Sequence, residues 1–214
     1  MFTGHVGIKA PRKRSYFLTR SVNDLWLWWA LIHSVSYLVT SVPRTLFGSS
    51  GIATIITGII ALVMELWVLG RYLNDFNWQQ WVVVSIVGAL LGLIVSIVPF
   101  IFAQMIAGQS APVNSLRALL TNILVGAITA LIVALAQWRV LTCYVRGYGI
   151  GPWVAANVIS VVIVSLSGSI MKEITHNGLL DIAGNTFAAL IGYIIVGFTL
   201  MQILRPYAPA AAPA

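Results

Sequence analysis

Apolar residues run almost unbroken through six stretches of the chain: Leu25 to Val42, Phe47 to Leu69, Trp81 to Met105, Ala118 to Leu141, Trp153 to Ile170 and Ile182 to Leu204. Each is long enough for a helix to cross a hydrocarbon core of roughly 30 Å, which takes about 17 to 25 residues. Between them lie residues that stop helices: Pro43 with Arg44, then Asn74, Asp75 and Asn77, then Gly108 to Pro112, Gly147 to Pro152 and Lys172 to Asp181. The pattern predicts an all-α fold, a polytopic transmembrane bundle of six spans forming one domain over residues 25–205. The connecting loops are too short to hold a soluble domain. A basic segment, 1–24, precedes the bundle, and a Pro/Ala tail, 206–214, is expected to be disordered. Pro99, inside the third stretch, predicts a kink there.

Composition agrees with this pattern and narrows the class. Hydrophobic residues make up 59% of the 214 and charged residues 8%, whereas soluble domains carry about 25% charge. Soluble enzymes, disulfide-rich secreted scaffolds and disordered chains are excluded. The formal charge of +7 does not point to nucleic acid, because five of the twelve Lys and Arg fall within the first 20 residues. A basic leader ahead of a span is a topology signal and an anchor for anionic headgroups. Some 24 polar or mixed residues precede the first apolar run, so the leader does not read as a cleavable signal peptide and is expected to be retained. With the N-terminus inside, Lys9, Arg12, Lys13, Arg14, Arg20, Arg71, Arg139, Arg146 and Arg205 lie on the inner side, against Arg44, Arg117 and Lys172 outside. Both termini are therefore expected to be cytoplasmic, in the plasma (inner) membrane of a bacterium. The lone Cys143 allows no internal disulfide.

The chain also resembles itself. ELWVLGRY followed by QQWVVVS parallels AQWRVLTCY followed by GPWVAAN, aligning Trp67 with Trp138 and Trp81 with Trp153 at offsets of 71 and 72 residues. The two hairpin copies cover about 58–92 and 126–164. A partial third copy, 184–205, places Gln202 and Arg205 in GFTLMQILRPY much as Gln137 and Arg139 stand in AQWRVL. Copies two spans apart run in the same direction, so the repeat is parallel. On these strings, with ALAQWRVL, GPWVAANVIS and AGNTFAALIGYIIVGFTLMQILR in roughly the last 80 residues, the sequence resembles bacterial multispan membrane proteins built from repeated Gln-Trp helical hairpins. Leu66 stands where the first copy would have the Gln, and Ile203 where the last would have the Trp. The resemblance implies a helical membrane fold and brings no activity with it.

Small residues at four-residue spacing mark helix-packing strips: Gly88 and Gly92, with Ser96 beyond; Gly126, Ala130 and Ala134; Gly184, Ala188 and Gly192. Packing within the bundle is expected ahead of homo-oligomerisation.

Polar groups at membrane depth are the candidates for function. Glu65, six residues before Arg71, is expected to lie near the interface or to pair with Arg139 of the neighbouring copy. A structural ion pair is the first reading and proton coupling the second. His33 shares a helical face with Trp26, Trp29 and Tyr37 and is the one candidate for a haem or chlorin ligand; no cofactor is otherwise expected. Asn122, Asn157, Asn185, Gln104 and Gln137 can bridge helices or, gathered round one cavity, coordinate a small solute. Glu173, His176 and Asp181 read as a solvated loop rather than a metal site. No motif of a hydrolase, metalloprotease or phosphate loop is present. The sequence therefore predicts a non-enzymatic protein embedded in lipid, an accessory or packing subunit for other membrane proteins or lipids, with a membrane-protein partner or a homo-oligomer expected. A small-solute or ion transporter with a polar central cavity is the alternative.

Overall fold

The structure is a computed structural model and describes residues 22–47, 51–107, 115–145, 147–175 and 178–207. Among these residues all regular structure is helical: α1 (Leu25–Phe47), α2 (Gly51–Tyr72), α3 (Trp78–Ala107), α4 (Ser115–Leu141), α5 (Gly151–Thr175) and α6 (Gly178–Leu204). Short 3-10 turns, Val22–Asp24 and Arg205–Tyr207, flank the bundle. Four helices are long and apolar enough to cross a membrane, over Trp78–Val98, Leu119–Leu141, Gly151–Gly168 and Gly178–Tyr207. The chain is a helical membrane protein.

Several boundaries differ from the sequence pattern. The break expected at Pro43 and Arg44 is absent, because α1 continues to Phe47. The stretch that seemed to open α2 at Phe47 thus belongs to the end of α1, and α2 starts at Gly51. Helix α3 likewise runs through Pro99 to Ala107. Membrane helices tolerate proline because neighbouring groups re-satisfy the freed carbonyl. The expected loop 172–181 is largely helix: α5 runs to Thr175, and α6 opens at Gly178 with Asp181 in its first turn. There the Asp181 carboxylate accepts a hydrogen bond from Asn185 Nδ2 at 2.7 Å. The side chains of Glu173 and His176, Pro99 and Gln104, residues 1–21 and the tail 208–214 lie outside the described residues. Val22, in the segment read as a polar leader, is buried in the core, and Tyr207 packs against it.

Helix α1 packs on α6 and α2, α6 on α5, α5 on α4 and α4 on α3, whereas α2 and α3 meet only sparingly. The small residues lie at these seams. A Cβ on Gly92 would stand 2.9 Å from the Thr129 Cα, and one on Gly88 3.1 Å from the Val133 Cα, so α3 and α4 are in backbone contact. Ser96 reinforces this seam, donating to the Gly92 carbonyl at 2.6 Å and lying 3.2 Å from the Thr129 hydroxyl. Gly126 faces Val161 on α5. Gly184 faces Met171 and Gly192 faces Ser160, both on α5, and Ala188 is buried between them in sequence. Ala130 is half-buried. Gly197, which the strips omit, meets the Trp26 backbone of α1, where a Cβ would lie 2.8 Å from the carbonyl oxygen.

Among the described residues the buried core is concentrated at one end of the bundle. It is built from the first turns of α1, α3 and α5 and the last turns of α2, α4 and α6, with Leu25, Trp29, Leu69, Tyr72, Trp81, Leu141, Trp153, Leu200 and Leu204 almost wholly buried. Away from this Trp-rich end, apolar side chains of α3 such as Leu90, Ile94 and Val98 are more than half exposed. Among apolar surfaces this is the face that lipid covers.

Candidate polar centre in the bundle

Two ionisable side chains meet inside the Trp-rich end. His33 of α1 places Nε2 3.6 Å from Glu65 Oε1 of α2, with 4% and 14% of their side chains exposed. His33 lies eight residues past the start of α1 and Glu65 seven before the end of α2, so both sit roughly 10 to 12 Å in at about 1.5 Å per residue. That separation is just beyond the hydrogen-bond limit of about 3.2 Å.

Every other helix supplies part of the surround. From α3, the Trp81 indole N–H donates to Glu65 Oε2 at 2.9 Å. From α4, Gln137 Nε2 donates to Ser85 Oγ of α3 at 3.1 Å and reaches Glu65 Oε2 at 3.4 Å. From α6, Tyr193 stacks on the His33 ring at 4.2 Å and 11°. Trp29 tilts against His33 at 5.1 Å and meets Trp153 of α5 edge-on at 6.4 Å. Local sequence fixes these positions: Trp81 and Trp153 each occupy the first turn of a helix that follows a tight turn. At α3 that turn is capped by Asn77, whose Oδ1 accepts from the Gln80 amide at 3.1 Å.

This corrects the expected partner of Glu65. The carboxylate turns inward to His33, Trp81 and Gln137 instead of pairing with Arg139, which is exposed. The two Trp pairs of the repeat also part company. Trp81 and Trp153 are both fully buried, but Trp67 is 47% exposed where Trp138 is buried. Trp153 Nε1 and Trp29 Nε1 have no partner, unlike Trp81 Nε1.

The Asn residues do not gather with the pair. Asn122 is exposed, Asn157 donates to the Trp153 carbonyl of its own helix at 2.9 Å, and Asn185 is engaged with Asp181. Tyr193 covers one face of the His33 ring, and Nε2 is turned to Glu65. No group of three or more His, Cys, Asp or Glu able to hold a metal occurs among the described residues.

Sequence reading found Glu65, His33 and Gln137 singly but missed Tyr193, Ser85 and the buried ring of Trp153. The one available signal was Trp81 and Trp153 recurring in the repeat. No protein-family model, curated protein or solved structure matches this chain, so the centre is read from its own geometry.

Proposed function

We propose that this is a non-enzymatic multi-pass membrane protein that passes a proton at the His33–Glu65 pair, as the ion-coupling core of a small transporter. The observation carrying this reading is the convergence of five helices on two titratable side chains 3.6 Å apart, with α5 reaching them only through Trp153 on Trp29 and Glu65 keeping 14% of its side chain exposed. Ionisable groups at membrane depth are costly and recur in proton relays. A pair contacted by five of the six helices couples a change of protonation to the packing of the bundle. In this reading six spans cross a bacterial plasma membrane with both termini cytoplasmic, and the pair lies nearer the cytoplasmic face.

The test is proton flux into proteoliposomes holding a trapped pH indicator, with an imposed pH gradient and the membrane potential clamped. Wild-type protein is expected to equilibrate the gradient well ahead of Glu65→Gln and His33→Gln reconstituted in equal amounts. Flux equal in all three, with the variants folded, overturns it. The second reading, an accessory subunit for another membrane protein, is favoured by the broad exposed apolar face of α3. It predicts a partner retained stoichiometrically in mild detergent and no flux.

A further inference from the structure

At the Trp-rich end, α2 and α3 are tied by the Trp81 bond to Glu65, but over the rest of their length they barely meet, unlike every other pair of helices that follow one another in the chain. The wall of the bundle is open along this seam. Gly58 stands seven residues before Glu65 on α2, about two helical turns, so the two share a face. Gly58 is exposed, and a Cβ built on it would meet nothing within 4 Å. The face of α2 that carries Glu65 thus leads out of the polar centre into open space.

The walls of the opening carry no charge. From Gly51 to Met64 on α2 and from Val82 to Ala107 on α3 there is no Lys, Arg, Asp or Glu. Ile59 and Val63 of α2 and Leu90 and Ile94 of α3 are more than half exposed. A hydrated ion passing between such walls would shed its water without compensation. An occupant drawn from the bilayer has to be apolar over most of its surface.

Glu65 sets the remaining requirement. Its carboxylate offers about four acceptor sites and takes one short bond, from Trp81 at 2.9 Å, with Gln137 of α4 at 3.4 Å and His33 of α1 at 3.6 Å standing farther off. No Lys or Arg pairs with it among the described residues. A positive charge on an apolar body complements both the carboxylate and the walls.

Resting on the proton reading above, we propose that the gap between α2 and α3 is the binding site of a lipophilic organic cation, which enters sideways from the bilayer and pairs with Glu65. Its body lies beside Gly58, and its charge rests on the carboxylate. As the cation arrives, the Glu65 carboxylic acid gives its proton to His33 Nε2, which passes it on. No bond forms to the cation, and one positive charge replaces another.

The test is equilibrium dialysis of the full-length protein in detergent with tetraphenylphosphonium, set against tetraphenylborate, an anion of the same shape. Wild type is expected to hold the phosphonium about tenfold more tightly than Glu65→Gln does, the effect of roughly one charge-assisted contact, and to release protons as it binds. Gly58→Phe, which fills the open space and leaves the carboxyl in place, is expected to lose phosphonium binding with its unfolding temperature unchanged. Equal binding by wild type and Glu65→Gln, borate held as well as phosphonium, or full binding by Gly58→Phe each overturns the proposal. Proton flux that depends on Glu65 with no phosphonium bound overturns it too, and leaves the proton reading standing. Glu65-dependent phosphonium binding without flux upholds the site and overturns the proton reading.

Discussion

The Trp81 indole N–H and the Glu65 carboxylate form a 2.9 Å hydrogen bond between α3 and α2, two helices that otherwise touch little. Trp153 holds the corresponding place in the second hairpin, equally buried, with its N–H unpartnered. The same substitution at the two sites therefore separates the hydrogen bond from the packing. Trp81→Phe and Trp153→Phe both lose indole volume, but Trp81→Phe alone also removes a hydrogen bond and leaves Glu65 Oε2 only the long 3.4 Å contact from Gln137, at a cost of about 1–3 kcal/mol. Thermal unfolding in detergent is expected to show Trp81→Phe as the less stable of the two. Equal losses would mean that the bond adds nothing to packing.

The His33–Glu65 contact is expected to show coupling. Glu65→Gln keeps the shape of the side chain and can still accept from Trp81, while His33→Phe keeps the stack on Tyr193. Each single substitution removes the carboxyl–imidazole contact from one side, Glu65→Gln leaving an uncharged amide against His33 and His33→Phe an apolar ring against Glu65. The double variant removes both, so its stability loss is expected to fall short of the summed single losses by about 0.5–3 kcal/mol. Additive losses would place the two side chains in proximity without interaction.

Glycine positions are expected to divide by what they face. Gly192→Ala drives a Cβ to 3.1 Å from the Ser160 carbonyl oxygen, and Gly197→Ala to 2.8 Å from that of Trp26, both backbone atoms that cannot step aside. Each is expected to destabilise by about 1–3 kcal/mol, as overpacking does. Gly70→Ala enters open space within α2, so it is expected to stabilise by about 0.5–1 kcal/mol through helix propensity. Chemical unfolding of the three variants reads the sign directly.

The helical bundle was legible because apolar runs of spanning length have few alternative folds, and the small-residue strips because a four-residue step keeps one face. The centre was less so. A repeat aligns residues by sequence offset, which suggested Arg139 for Glu65. The actual partner, His33, sits on α1, outside the repeat, and is brought in by the packing of α1 on α2 and α6. Tyr193 carried no polar-motif signal, because its ring, stacked on His33, supplies the contact. Pro43 misled because a proline marks only a tendency for a helix to stop, and α1 continues through it to Phe47.

Orientation can be read from Cys143. It is the protein's only cysteine, stands in the turn after α4, and is exposed. Its thiol makes only a long contact, 3.9 Å, to the Arg139 carbonyl, which leaves it open to alkylation. In the orientation expected from the distribution of Lys and Arg, this turn faces the cytoplasm. A membrane-impermeant maleimide is therefore expected to label the protein in inverted membrane vesicles and to leave it unlabelled in intact cells. Permeabilised cells supply the positive control. Labelling of intact cells would reverse the orientation, putting the Trp-rich end, with the His33–Glu65 pair, at the outer face. The geometry of the pair would stand, but the proton would enter from the opposite side.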